Sequence, residues 1–299
     1  MTTFDDLVVR VRQQILGYAK DQLAVSELSA DMDPTDTAFT VDAVDNLSRG
    51  LVEIDDELVL VRSYDGSSGT VQVMGGLNGR GAEGTIPAAH SATSLVTSDP
   101  RFPRARVKEA VNDAIRGVYP SLVTFGYIEI SNIAVVYEYP MPADAVDVWA
   151  VSDQLVGPTQ VWMQGTKYRF NPSASPGSFP TGKSIQLFDG ITPGRTMRIK
   201  YSKPPSPLVN GSDDFTAVSG LPDRVNDIIV WGACSRLLPA YESARLQQQA
   251  IEATERAPLV PPKSAVSVAA YYMQMYQQRL DQERALMFLE HPQPTYYGS

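Results

Sequence analysis

Two stretches rich in β-branched and aromatic residues, 37–97 and 124–201, are separated by one amphipathic stripe, and that order leaves few folds open. The stripe is Val107, Ala110, Val111, Ala114, Ile115 and Val118, one face of a helix, with Pro103 just before it and Pro120 just after. In the first stretch, strands are expected at 37–41, 57–64, 70–74 and 94–97, with Asp65-Gly66 and Gly69 bracketing a hairpin turn and a Gly-rich loop over 75–90. In the second they are expected at 126–130, 134–139, 145–151, 160–163, 168–170, 184–188 and 197–201, with Gly165-Thr166 at a hairpin tip. Short strands at this spacing predict a β-sandwich or a barrel-like domain.

Helices flank this centre. Phe4, Leu7, Val8, Val11 and Ile15 recur at helical spacing, opened by a capping-box-like Thr3 and Asp6. Near the other end, Pro222 stands at a first helical position, and Val225, Ile228, Ile229 and Gly232 share a face. Pro239 is expected to kink or split that helix, and Pro258 to Pro262 to end it. A second long helix over 266–290 carries Ala269, Tyr272, Met273, Tyr276, Leu280 and Met287, so the pair reads as an αα-hairpin. The expectation is an α+β chain: an N-terminal helix at 1–30, a small β unit at 31–99, the amphipathic helix at 100–122 and a central β domain at 123–205. A linker at 206–220, the helical hairpin at 221–290 and an extended tail at 291–299 complete it.

Composition narrows the function. One cysteine, Cys234, builds neither a disulfide framework nor a zinc cluster, and synthesis in a reducing cytoplasm is expected. No apolar run approaches the ~18 residues of a membrane span, and no apolar signal region follows Asp5 and Asp6. The net charge is −9, and residues 1–100 hold most of it, with 6 basic against 16 acidic side chains. Clustered Lys and Arg, the footprint of a DNA-gripping surface, do not occur.

Several motifs tempt. Residues 177–184 match the phosphate-binding pattern GxxxxGK[ST] through Gly177, Gly182, Lys183 and Ser184. A proline-rich stretch precedes them and an alternating, strand-like stretch follows, so the helix whose N-terminal N–H groups would cradle a phosphate is missing. Gly79, Gly81 and Gly84 match GxGxxG, yet Thr85-Ile86-Pro87 follows in place of a helix, which reads as a surface loop. His90 and His291 lack a nucleophile elbow, Cys234 sits among apolar residues as a small core residue would, and Glu53, Asp55, Asp56 and Glu57 read as a solvated strand edge. No catalytic, metal or cofactor residue emerges, and a non-enzyme is expected. Helical spacing sends Tyr272, Met273 and Tyr276 to one side of the last helix, and Tyr271 and Met275 to another. Core packing and a partner interface both remain open for them. Tyr296 and Tyr297 are the candidate anchors of the tail if it acts as a binding arm.

The segment 221–238, from Leu221-Pro222-Asp223-Arg224 through Gly232 to Leu238, and the segment 276–284, from Tyr276 through Leu280 to Arg284, resemble the helical hairpin of head-to-tail connector (adaptor) proteins of tailed bacteriophages. The segment 48–61, with Gly50, Glu53, Glu57 and Val61, followed by Pro100-Arg101-Phe102-Pro103-Arg104, is similar to large neck proteins of long-tailed phages. The chain departs from the small all-helical adaptors in carrying a β domain between its helical parts. The resemblance implies a structural virion protein of the neck: a homo-oligomeric ring, dodecameric, bound under the portal protein. It further implies a central channel for passing DNA, a face for the next neck or tail protein, no cofactor and no membrane. A reading from another class is a glycan-binding β-sandwich of the tail, with Trp149, Trp162, Tyr168 and Phe170 as stacking platforms.

Overall fold

The computed structural model describes residues 1–17, 24–155, 161–164, 166–188, 192–246 and 264–292. The fold is α+β, and it divides into two compact units, each assembled from separate stretches of chain. One, the barrel unit, holds residues 3–114 and 227–276. The other, the sandwich unit, holds residues 1–2, 115–226 and 277–299.

The barrel unit opens with α1 (Phe4–Leu16). Its capping box is present: the Asp6 N–H donates to the Thr3 hydroxyl and the Thr3 N–H donates to the Asp6 carboxylate. The helix buries Phe4, Leu7, Val8 and Val11 and ends at Gly17. It is therefore shorter than the expected 1–30, and β1 (Ala24–Glu27) occupies part of that span. Strands β2 (Ala38–Thr40), β3 (Gly50–Ile54), β4 (Glu57–Asp65), β5 (Thr70–Val73) and β6 (Leu95–Ser98) follow. They form one antiparallel sheet in the order β1-β6-β3-β4-β5-β2. Its outer strands meet at the Leu28–Val41 bridge, where Asp42 N–H donates to the Glu27 carbonyl (3.0 Å) and Ser29 N–H to the Thr40 carbonyl (2.9 Å). The sheet thus curls onto itself, and closure covers edges that would otherwise be open templates for pairing. Val52, Ile54, Val59, Val61, Val71 and Val96 lie in its buried core.

The amphipathic stripe forms α2 (Arg104–Gly117), and every stripe residue from Val107 to Val118 is buried. The last helices are α4 (Asn226–Leu246) and α5 (Ser264–Glu290), after the short α3 (Phe215–Ser219). Gly232 marks where α2, α4 and α5 converge: a Cβ there would stand 3.1 Å from the Ala114 side chain and 3.1 Å from the Tyr276 ring. Pro239 does not split α4, which runs through it as one 21-residue helix. The expected break at Pro258 to Pro262 and the Gly165 turn position lie outside the described residues. The segment expected as a linker is folded: Asp214 caps α3 by accepting the Ala217 N–H, and Phe215 is fully buried.

The sandwich unit packs two antiparallel sheets around one core. One sheet runs β10 (Val161–Gln164), β9 (Asp147–Leu155), β13 (Thr196–Lys203), β7 (Thr124–Ser131), and the other β11 (Tyr168–Asn171), β12 (Ser184–Leu187), β8 (Glu138–Pro140). Alternation along β13 shows how sequence sets the layers: Met197, Ile199 and Tyr201 point inward with Val151, Ile185 and Met141, while Arg198 and Lys200 lie on the other face. Of the β-sandwich and the barrel-like domain that the sequence left open, two sheets around one core are a sandwich.

Candidate functional site

In α5 the apolar residues are distributed around the helix rather than along one stripe. Within the barrel unit, Ala269 and Tyr276 are buried, and Tyr272 is half-buried with its hydroxyl 3.2 Å from Gln14 Oε1 on α1. Val268 and Tyr271, three positions apart, stand on the uncovered side with Tyr271 58% exposed, and Met275 is half-buried one turn further on. Met273, grouped by spacing with the inward side, is instead exposed. Within the sandwich unit, Leu280 and Met287 are buried while Leu286 and Leu289 are exposed. A helix with apolar groups on more than one side is suited to contacts on more than one side.

The tail begins tethered to the sandwich. The His291 carbonyl accepts the Trp149 indole N–H (3.0 Å), its ring meets Phe125 edge-on at 4.3 Å, and Lys200 Nζ lies 3.0 Å from Nδ1. Burial and the Lys200 cation hold the His291 pKa below its ordinary value. Tyr296 and Tyr297 lie outside the described residues.

The acidic run and the Gly-rich loop, expected as solvated, combine into a buried ionic cluster that sequence reasoning missed. Asp55 and Asp56 are the two-residue turn between β3 and β4, with Asp55 at φ 50°, a conformation aspartate tolerates. Their neighbours Glu53 and Glu57 are consequently buried, not solvated. Arg80 is also buried: its guanidinium grips Glu57 through two N–H donors (2.7 and 2.9 Å) and the carbonyls of Asp33, Asp36 and Ala88 through the rest. All five of its donors are thereby used. The Glu57 carboxylate also accepts the N–H groups of Gly81 (3.0 Å) and Ala88 (2.9 Å) and pairs with His90 Nε2 (2.9 Å), while His90 Nδ1 pairs with Asp55 (2.9 Å). Gly81 adopts φ 61°, a left-handed turn that lets the chain wrap Arg80, which accounts for the glycines that mimic a dinucleotide motif.

Burial alone would raise the Glu57 pKa, but Arg80, His90 and the two backbone N–H groups outweigh it and hold the carboxyl far below the usual range. Burial alone would lower the His90 pKa, but Asp55 and Glu57 outweigh it and push it up to about 9. With every strong donor and acceptor engaged, the cluster joins the loops at one end of the barrel rather than offering a reactive group. Among the described residues, no group of three or more His, Cys, Asp or Glu side chains is placed to hold a metal ion.

The remaining sequence candidates fall apart in space or into the core. Lys183 donates to the carbonyls of Ala143 (2.7 Å) and Ala145 (2.6 Å), and the strand β12, not a helix, begins at Ser184. Cys234 is fully buried, and burial pushes its thiol up to about 12. Trp149 is buried, Trp162 lies under the Arg198 guanidinium at 3.9 Å, and Tyr168 donates to the Val148 carbonyl. Those aromatics do not make one open stacking platform. Among the described residues, no helix is long and apolar enough to cross a membrane.

Comparison with known proteins adds one finding. The family model described as SU10 adaptor protein matches residues 88–288, from the end of the barrel through most of α5. No curated protein matches the chain.

Proposed function

The chain belongs to the SU10 adaptor protein family, a family of phage structural adaptors, and from that premise we propose that it forms a homo-oligomeric ring in the virion neck, joining the portal protein to the tail and letting DNA pass. The observation that carries the ring is the uncovered side of α5: Val268 and Tyr271 stay in solvent although their helix is already packed on its other side. Exposed aromatic and aliphatic groups of this kind are the ordinary anchors of protein interfaces. In a ring each copy presents one surface and receives another, so the contact repeats until the rotation closes.

The charge pattern supports a passage that does not retain DNA. Residues 1–100 have a net charge of −10, and an acidic surface repels the phosphate backbone. Twelve copies, as the head-to-tail connectors imply, would match a portal of the same symmetry. The next neck or tail protein would meet the opposite face of the ring.

The test is the mass of the assembled species. Native mass spectrometry of the purified chain, with and without portal protein, should give a closed oligomer at an integral multiple of 32.6 kDa. Tyr271→Asp should remove the oligomer while leaving the thermal midpoint of the folded chain in place. A monomer under both conditions, or a Tyr271→Asp variant that assembles like the parent, would sink the reading.

A further inference from the structure

In the sandwich unit the loop between β7 and β8 presents Asn132-Ile133-Ala134-Val135-Val136-Tyr137, a run without a single charge. Ile133, Val135 and Tyr137 are exposed, Val135 to 86%. The run is nevertheless fixed. The buried Tyr139 hydroxyl accepts the Ile133 N–H (3.0 Å) and donates to Asn132 Oδ1 (2.8 Å), with the Val136 carbonyl at 3.1 Å. Leu187 N–H donates to the Tyr137 carbonyl (2.8 Å), and Gly194 N–H to the Asn132 carbonyl (2.8 Å). At its apex Val135 has φ 70°, a region that a β-branched side chain avoids and that glycine or asparagine would occupy without strain. The loop thus holds an aliphatic side chain out in water, in one conformation, against its own backbone preference. Burying such a rigid tip costs little ordering entropy.

The barrel unit carries a groove of about 780 Å³ between α1 and β6. Its apolar lining includes Val9, Leu16, Val25 and Leu95, with Leu95 57% exposed. Its charged side chains already have partners: Arg12 pairs with Glu53 at 2.9 Å, Arg104 with Asp5 at 2.7 Å and with Asp56 at 3.2 Å, and Asp55 with His90 at 2.9 Å. A groove whose charges are paired and whose aliphatic walls stand uncovered suits an uncharged, apolar occupant, and residues 132–137 have that chemistry.

We propose that the 132–137 tip of one copy seats in the α1–β6 groove of the next copy. Tip and groove are different surfaces, so the contact is head-to-tail and propagates around a ring. The inference rests on the ring reading above and names the contact that would build it.

Cysteine cross-linking of the full chain tests it. Val135→Cys combined with Leu95→Cys should give disulfide-linked species longer than dimers under mild oxidation, and neither single variant should. Val135→Gly should melt no lower than the parent, because glycine suits φ 70°, yet need at least tenfold more protein to assemble. If the parent forms rings but the double variant gives no ladder, or Val135→Gly assembles like the parent, the tip is not the contact and the ring reading survives. If Val135→Cys alone links in pairs, tips face tips and the proposal fails. If the parent stays monomeric, both readings fall together. Co-sedimentation of the parent, but not of Val135→Gly, with phosphatidylcholine vesicles would reassign the tip to a lipid surface.

Discussion

Arg80 and Glu57 form a buried pair whose value lies in being complete. Removing one partner leaves the other charge desolvated, which costs far more than the pair contributes as a unit. Arg80→Met should therefore lower stability by about 3–5 kcal/mol in urea denaturation; a loss below about 1 kcal/mol would mean that the loop opens and solvates Glu57 freely. Lysine should not rescue it, because one ammonium cannot reproduce the two-pronged grip on Glu57 together with three carbonyl contacts. His90 adds a pH dependence. Its pKa is raised from 6.5 to about 9 by folding, so its stabilisation is fully present below pH ~6.5 and fades as pH rises through about 9. The groups facing it are Asp55, Glu57 and, through Glu57, Arg80. Chemical denaturation at pH 6 and pH 9.5 should show the parent losing more stability than His90→Gln across that window. Equal slopes for the two proteins would exclude His90 as the titrating group.

At the scale of elements, what could be read in the sequence tracked how local the causes are. The α2 stripe was legible because its six apolar residues, its 3.6-residue period and its flanking prolines all lie within 18 residues, and all six are buried. The α1 cap was legible for the same reason. The β3–β4 hairpin was not, because Asp55-Asp56 reads as charge before it reads as a turn, and the partners that make Glu53 and Glu57 tolerable inside, Arg12, Arg80 and His90, lie 23 to 41 residues away. Of the kink or split expected at Pro239, the split does not occur, because the proline rule weighs one residue whereas α4 is also held by its packing, as around Gly232. That packing predicts its own sensitivity. Gly232→Leu should lower stability by about 1–3 kcal/mol through overpacking against Ala114 and Tyr276, read as a fall in thermal midpoint. An unchanged midpoint would show the three helices to be loosely apposed there. Of the binding residues expected from sequence, Tyr271 is presented to solvent and Tyr276 is absorbed into the fold, a distinction set by where α1, α2 and α4 lie rather than by helical spacing.

For the whole molecule, the binding arm proposed for the tail has a tethered start. His291 is bound to Trp149 and Phe125, so the arm proposed for the tail would begin after it. Deleting 293–299 should abolish capture of the portal protein in a pull-down and leave the melting curve of the chain in place. Capture at parental levels would remove the arm from the proposal. The division of the chain has a consequence of its own. Each compact unit is stitched from early and late residues, and both draw on α5. Neither can reach its final packing until its share of α5 has left the ribosome, residues 264–276 for the barrel unit and 277–290 for the sandwich unit, and long loops must close before those contacts form. Any surface that includes α5 is therefore finished only after all the chain that precedes it has been made, so the order of synthesis places such a surface late.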